Sequence, residues 1–196
     1  MSCMEPICLD RRNTAYLGMA GAILFSIMWL MAIYADGSWV LGAETLSDLG
    51  HPSRDGHPMF NAAAVIAGVL LSFFALGMYQ NHQSYLFGRV AMLVALVASL
   101  FLIGVGIFPI HVTPYHTIVS YAFFGLMIVA LSLWTVHDYL RGGQAQYFAG
   151  FTAVLLAISL AFLALTEIGM AEAVAVVCIM IWAVVQGIRM LKLEEA

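Results

Sequence analysis

Apolar residues along this chain gather in long runs separated by short polar breaks. Six runs approach twenty residues and carry almost no charge, at about 16–34, 59–79, 89–108, 115–136, 147–165 and 171–190. A helix rises about 1.5 Å per residue, so about 20 apolar residues match a hydrocarbon core roughly 30 Å thick. The pattern predicts six transmembrane helices. The breakers agree with that division. Pro58 and Pro114 fall where the second and fourth helices open, a position at which the missing N–H of proline is harmless. Pro109 closes the third run, Thr113 is placed to cap the fourth helix, and Gly142-Gly143 separates the fourth from the fifth. Only the connection at about 35–57 has any length. One transmembrane domain over 1–196 is expected, with no linker, soluble appendage or internal repeat.

Composition settles what surrounds these helices. The chain is 63% hydrophobic and 9% charged, against about 45–50% and about 25% in a soluble domain. So few charges cannot cover a water-facing surface, which leaves lipid as the main solvent. The fold class is therefore all-α, a polytopic six-helix bundle, and membrane lipids are its expected partners. The basic residues give it a direction. Arg11 and Arg12 precede the first helix, Arg89 and Arg141 lie at the second–third and fourth–fifth connections, and Arg189 and Lys192 end the sixth. Only Arg54 falls on the other side. Cytoplasmic loops are the Lys/Arg-rich ones, so both termini are expected in the cytoplasm of a multi-pass cell-membrane protein. Arg11-Arg12 before an uninterrupted apolar run, with no small-residue cleavage site, reads as an uncleaved signal-anchor. No basic stripe supports a nucleic-acid partner. Cys3, Cys8 and Cys178 match no metal or haem spacing and read as unpaired thiols.

The remaining polar groups cluster. His51, His57, His111 and His116 fall on the extracytoplasmic side with Glu44, Asp48, Asp55, Glu167 and Glu172. Short turns bring the three outer connections to one face. Imidazole and carboxylate are ordinary ligands of zinc and similar divalent metals, which makes His57, His111 and His116 the expected metal ligands. Asp48 would activate a metal-bound water or orient a histidine; alternatively it caps a turn. Ser120 follows His116 by four residues on the same helical face, within reach of a hydrogen bond, and forms a candidate nucleophile–base pair with it. The plainer readings stand beside these. Histidines and acids at a membrane boundary are often solvated, Glu167 and Glu172 as turn residues among them, and a helical serine often bonds a backbone carbonyl. His82 and His137 read as interfacial on the opposite side. Haem is not expected, since no histidine lies near mid-span to supply facing axial ligands.

Leu46-Ser47-Asp48-Leu49-Gly50, then Phe60-Asn61, then Gly106-Ile107-Phe108-Pro109 and His116, together resemble the prokaryotic six-helix membrane family known as domain of unknown function 998. The resemblance covers nearly the whole chain. It implies a six-helix bundle similar to the Frag1/DRAM-type membrane proteins and implies no reaction. A looser similarity links Ser47, Asp48, His111 and His116 to the seven-helix alkaline ceramidase and progestin–adipoQ receptor group, whose bundles use histidine-bound zinc with Ser and Asp to hydrolyse lipid amides. Six spans and a histidine pair interrupted by Pro114 depart from that pattern. Three functions fit the residues: a metal-dependent lipid-modifying enzyme with a polar His/Asp pocket at the extracytoplasmic face; a small transporter or binding protein for a lipid or hydrophobic solute; and a non-catalytic subunit of a membrane complex or homo-oligomer. The scarcity of mid-membrane charge weighs against ion-coupled transport.

Overall fold

In a computed structural model, the described residues are 9–81 and 85–192. Cys3, Cys8 and His82 lie outside them. The described residues form six long helices: α1 Arg11–Asp36, α2 His57–Asn81, α3 Leu86–Ile107, α4 Tyr115–Arg141, α5 Ala145–Leu165 and α6 Ile168–Lys192. All six are long and apolar enough to cross a membrane, and the chain is a multi-pass membrane protein. Each predicted span lies within or beside one of these helices. Most helices outrun their apolar stretch by a few residues, because polar end residues continue the hydrogen-bonded ladder beyond it. Asp10 begins α1 by accepting from the Asn13 N–H at 2.6 Å, and Gly37 ends it with φ 65°. The cap expected from Thr113 is not formed. Pro114 occupies the cap position of α4, and no side chain bonds there.

Each helix packs on its neighbours in sequence, and α6 returns to α1, closing a ring. Lipid offers no hydrophobic force to drive helices together, so their association depends on close backbone approach and side-chain packing. Small residues supply that approach. A Cβ on Gly68 of α2 would lie 2.8 Å from the Ile103 nitrogen and 2.9 Å from the Ser99 carbonyl oxygen of α3. Buried alanines line the same seams, among them Ala15, Ala63, Ala91, Ala98 and Ala183.

The long connection after α1 folds over one end of the ring. A 3-10 turn at Leu46–Gly50 buries Leu46 and Leu49. Arg54 holds the rest. Its guanidinium donates to Asp36 at 3.0 Å and to Ser38 Oγ at 2.9 Å, and it bonds Glu44 as well. Burial alone would lower its pKa, but the Glu44 bond and the charges of Asp36 and Glu44 outweigh that and raise it. The one basic residue on this side is thus consumed by the fold of its own loop.

The opposite end of the ring carries a buried ion pair. Asp138 of α4 is 0% exposed and accepts from Arg189 of α6 at 2.6 and 2.9 Å, one bond to each carboxylate oxygen. Arg189 also lies 4.3 Å from the centre of the Phe148 ring of α5. Nearby, Trp134 of α4 meets Trp182 of α6 edge-on at 6.2 Å. His137, expected at the interface, is buried here against the Trp134 and Tyr85 rings. These contacts draw α4, α5 and α6 together at this end.

Candidate functional site

Toward their other end the two-residue turn 166–167 joins α5 to α6, but below it the three helices leave space between them. All buried residues of α5, namely Ala145, Ala149, Thr152 and Leu155, lie in its first half. The facing helices present small residues there, Gly125 on α4 and Ala171 and Ala175 on α6. A Cβ built on Gly125 would meet nothing within 4 Å. The result is a cavity of about 440 Å³ between α4, α5 and α6, closed at its loop end by the 3-10 turn. That volume falls in the range of small-molecule sites, about 300–1,000 Å³. Its lining follows α4 from position 116 to position 131, about 22 Å along the helix axis at about 1.5 Å per residue. Tyr121 and Leu163, 70% and 52% exposed, form part of its rim.

Polarity is segregated along this cavity. Ser47, His116, Ser120 and Glu172 line the loop end. Deeper in, the walls are Phe124, Ile128, Leu131, Leu156 and Ile179. The only polar side chain on the α5 wall, Ser159, spends its hydroxyl on the Leu155 carbonyl at 3.0 Å.

The polar end is held from several directions. Pro109 cannot continue α3, so the last carbonyls of that helix lack N–H partners within it. The Phe108 carbonyl instead accepts from His116 Nδ1 at 2.7 Å. A carbonyl only accepts, which places the proton of a neutral ring on Nδ1 and leaves the Nε2 lone pair free. Ser120 Oγ lies 3.2 Å from that Nε2 and donates to it. The ring is 6% exposed, so its orientation is fixed by packing as well as by the Phe108 bond. Across the cavity, Glu172 sits one turn inside α6. One of its oxygens accepts from the Leu46 N–H at 3.0 Å and the other from Ser47 Oγ at 3.1 Å.

The other expected site residues are placed differently. Asp48 takes the capping alternative. Its carboxylate accepts from the Thr45 N–H at 2.7 Å and the Thr45 hydroxyl at 2.8 Å, while Thr45 Oγ1 accepts from the Asp48 N–H at 3.2 Å. This reciprocal capping box starts the 3-10 turn, and Asp48 does not line the cavity. His57 donates from Nδ1 to the Arg54 carbonyl at 2.7 Å. His111 is exposed and packs edge-on against His51 at 5.6 Å. The expected triad of His57, His111 and His116 is therefore not assembled. Each ring serves a separate local contact, and the described residues hold no group of three His, Cys, Asp or Glu placed to bind a metal. Of the expected metal and catalytic residues, only His116 and Ser120 line the cavity, as a bonded pair; Ser47, named through the looser similarity, lines it as well.

Glu172 is the residue that sequence reading misplaced. It was expected to be a solvated turn residue, yet it faces the cavity. The available signal was an acid one turn inside an apolar run, where a carboxylate is costly unless it has partners. Asp138 carried the same signal near the far end of α4. Several residues behind the family resemblance touch one another at this end. Asn61 donates to the Gly50 carbonyl at 3.1 Å, and a Cβ on Gly106 would lie 2.5 Å from the Asn61 carbonyl oxygen. Phe108 meets His116 as described.

The model of a family described as "Protein of unknown function (DUF998)" matches residues 19–189. No curated protein and no solved structure matches the chain.

Proposed function

The chain belongs to the DUF998 family, whose description assigns no activity, and from that premise we propose that it binds a single-chain amphiphile from the surrounding membrane. The observation that carries this reading is the segregated cavity, polar at the loop end and apolar for most of the length of a lipid tail. Apolar walls take the chain, the rim at Tyr121 and Leu163 lets it enter from the side, and Ser47, His116, Ser120 and Glu172 meet the headgroup. Burying apolar chain surface contributes about 25 cal/mol per Å². The positive-inside pattern supports a headgroup end on the extracytoplasmic side of the cell membrane, with both termini in the cytoplasm.

Gly125→Phe tests this. The new ring would grow into open cavity rather than into protein, so the bundle should fold with its normal unfolding midpoint. Native mass spectrometry of the purified protein should show one co-purifying amphiphile in the wild type and none in the variant. Equal lipid retention by both would rule out the cavity as the binding site.

A second reading is favoured by the His116–Ser120 contact. A serine hydroxyl bonded to an oriented imidazole can attack an ester carbonyl carbon. Its proton passes to His116 Nε2 and from there to the departing alcohol, leaving an acyl-Ser120 that water hydrolyses by the reverse steps. A fluorophosphonate probe should then label Ser120 in the wild type and fail on His116→Ala. Absence of labelling in a protein that still binds lipid would leave binding alone.

A further inference from the structure

We propose that the cavity selects amphiphiles with a cationic headgroup, a primary or quaternary ammonium on an alkyl chain, and that Glu172 is the selecting residue; this rests on the binding reading above. The argument is one of charge complementarity. Among the residues lining the cavity, Glu172 is the only carboxylate, and no Lys or Arg lines it. The other titratable groups there are His116, which is committed to Phe108 and Ser120, and Tyr121 at the rim. An anionic headgroup would find no cation and would face a carboxylate where water is scarce and charge interactions are strong. An ammonium finds the reverse.

The geometry leaves room for it. An ionised carboxylate offers about four acceptor positions, and Glu172 uses one on Leu46 and one on Ser47. The Ser47 N–H also approaches the carboxylate, and an acceptor position remains for a guest. Ser120 Oγ can also accept, and the Tyr121 ring at the rim is aromatic, a class of side chain that attracts cations. The two donors from the 3-10 turn anchor the carboxylate at the polar end of the cavity, while the walls below provide no alternative polar contact. A primary ammonium donates charge-assisted hydrogen bonds to the carboxylate, a quaternary one has no N–H and is held by charge attraction and aromatic faces, and a neutral alcohol lacks the charge attraction that both share.

The test is competition against a neutral fluorescent fatty alcohol, with the full chain in non-ionic amphipol at about pH 8, above the ordinary carboxylate range. The probes share one dodecyl chain: dodecylamine, dodecyltrimethylammonium, dodecanol and dodecyl sulfate. Both ammonium compounds should bind at least about tenfold more tightly than dodecanol, and dodecyl sulfate most weakly. Glu172→Gln should shrink the ammonium preference to within about twofold while dodecanol binding persists, which also verifies the fold. Asp48→Ala loosens the 3-10 turn that anchors Glu172, lies outside the cavity lining and keeps the Glu172 carboxylate, so it should keep the preference. Loss of preference in Asp48→Ala as large as in Glu172→Gln would mean that Glu172 acts only as a latch for the loop, and would overturn the proposal. Equal wild-type affinity for dodecanol and the ammonium compounds would also overturn it, yet leave the amphiphile cavity standing. No saturable binding of any probe would remove both.

Discussion

Replacing Asp138 by Asn tests the tie that holds α4, α5 and α6 together opposite the cavity. The carboxylate is 0% exposed and both its oxygens are bonded to Arg189, at 2.6 and 2.9 Å, while the Arg189 side chain is 9% exposed. Asn preserves the shape and one acceptor oxygen but removes the negative charge. The guanidinium then keeps one bond to the Asn oxygen, Gln186 Oε1 at 3.3 Å and the Phe148 ring, but no charged partner. Removing one member of a buried pair costs about 3–5 kcal/mol. Two effects reduce this. The Asn oxygen retains one hydrogen bond, about 1 kcal/mol, and Arg189 lies near the end of α6, where a long side chain can reach toward the headgroups. A net loss of about 2–3 kcal/mol follows. The assay is reversible unfolding in mixed micelles with increasing dodecyl sulfate, applied to Asp138→Asn, Arg189→Gln and the double variant. The double variant should be more stable than the sum of the single losses implies, by about 1–2 kcal/mol, because the stranded charge is gone. A loss below about 0.5 kcal/mol in Asp138→Asn, or strict additivity in the double variant, would refute a buried ion pair.

Three further outcomes are expected. Asp48→Ala should destabilise the loop end by about 0.5–2 kcal/mol, as for a lost cap, and leave dodecanol affinity unchanged; a large loss of binding at intact stability would return Asp48 to the site. Gly56→Ala should cost about 1–3 kcal/mol, read as a lower unfolding midpoint, because its Cβ would lie 2.3 Å from the Ala32 carbonyl oxygen of α1, a backbone atom unable to swing aside. Reporter fusions after Arg141 should behave as cytoplasmic and insertions at Ser53 as external; the reverse pattern would place the cavity's polar end in the cytoplasm.

The architecture was legible because bilayer thickness and backbone hydrogen bonding impose it locally. Within lipid each segment must satisfy its own N–H and C=O groups, so an apolar run of sufficient length becomes a helix whatever its neighbours do. That is why all six spans could be placed from the chain alone, and why breakers such as Pro109 and Gly142-Gly143 mark their ends. The pairing of His116 with Ser120 was legible for a related reason: residues four apart on one helix are neighbours without help from tertiary structure. The local geometry of Asp48 was half-legible, since Thr45 precedes it by three residues and a capping box is a short-range motif.

What the sequence could not decide depends on contacts between distant positions. Sequence reading expected His57, His111 and His116 to converge because all three belong to one end of the bundle. Nearness to a common end does not make side chains converge, and each imidazole settled on its own partner, Arg54, His51 or Phe108. Glu172 and Leu46 are 126 positions apart, and Asp138 and Arg189 are 51 apart; only the closing of the ring brings them together. The cavity itself is a property of the tertiary packing. It exists because α5 is packed at its first half, by contacts that include Phe148 under Arg189, and buries no residue beyond Leu155, where Gly125, Ala171 and Ala175 line the space beside it. Local chemistry therefore set the helices, their ends and one hydrogen-bonded pair, whereas the ring closure determined which carboxylate faces an open space and which is neutralised by an arginine.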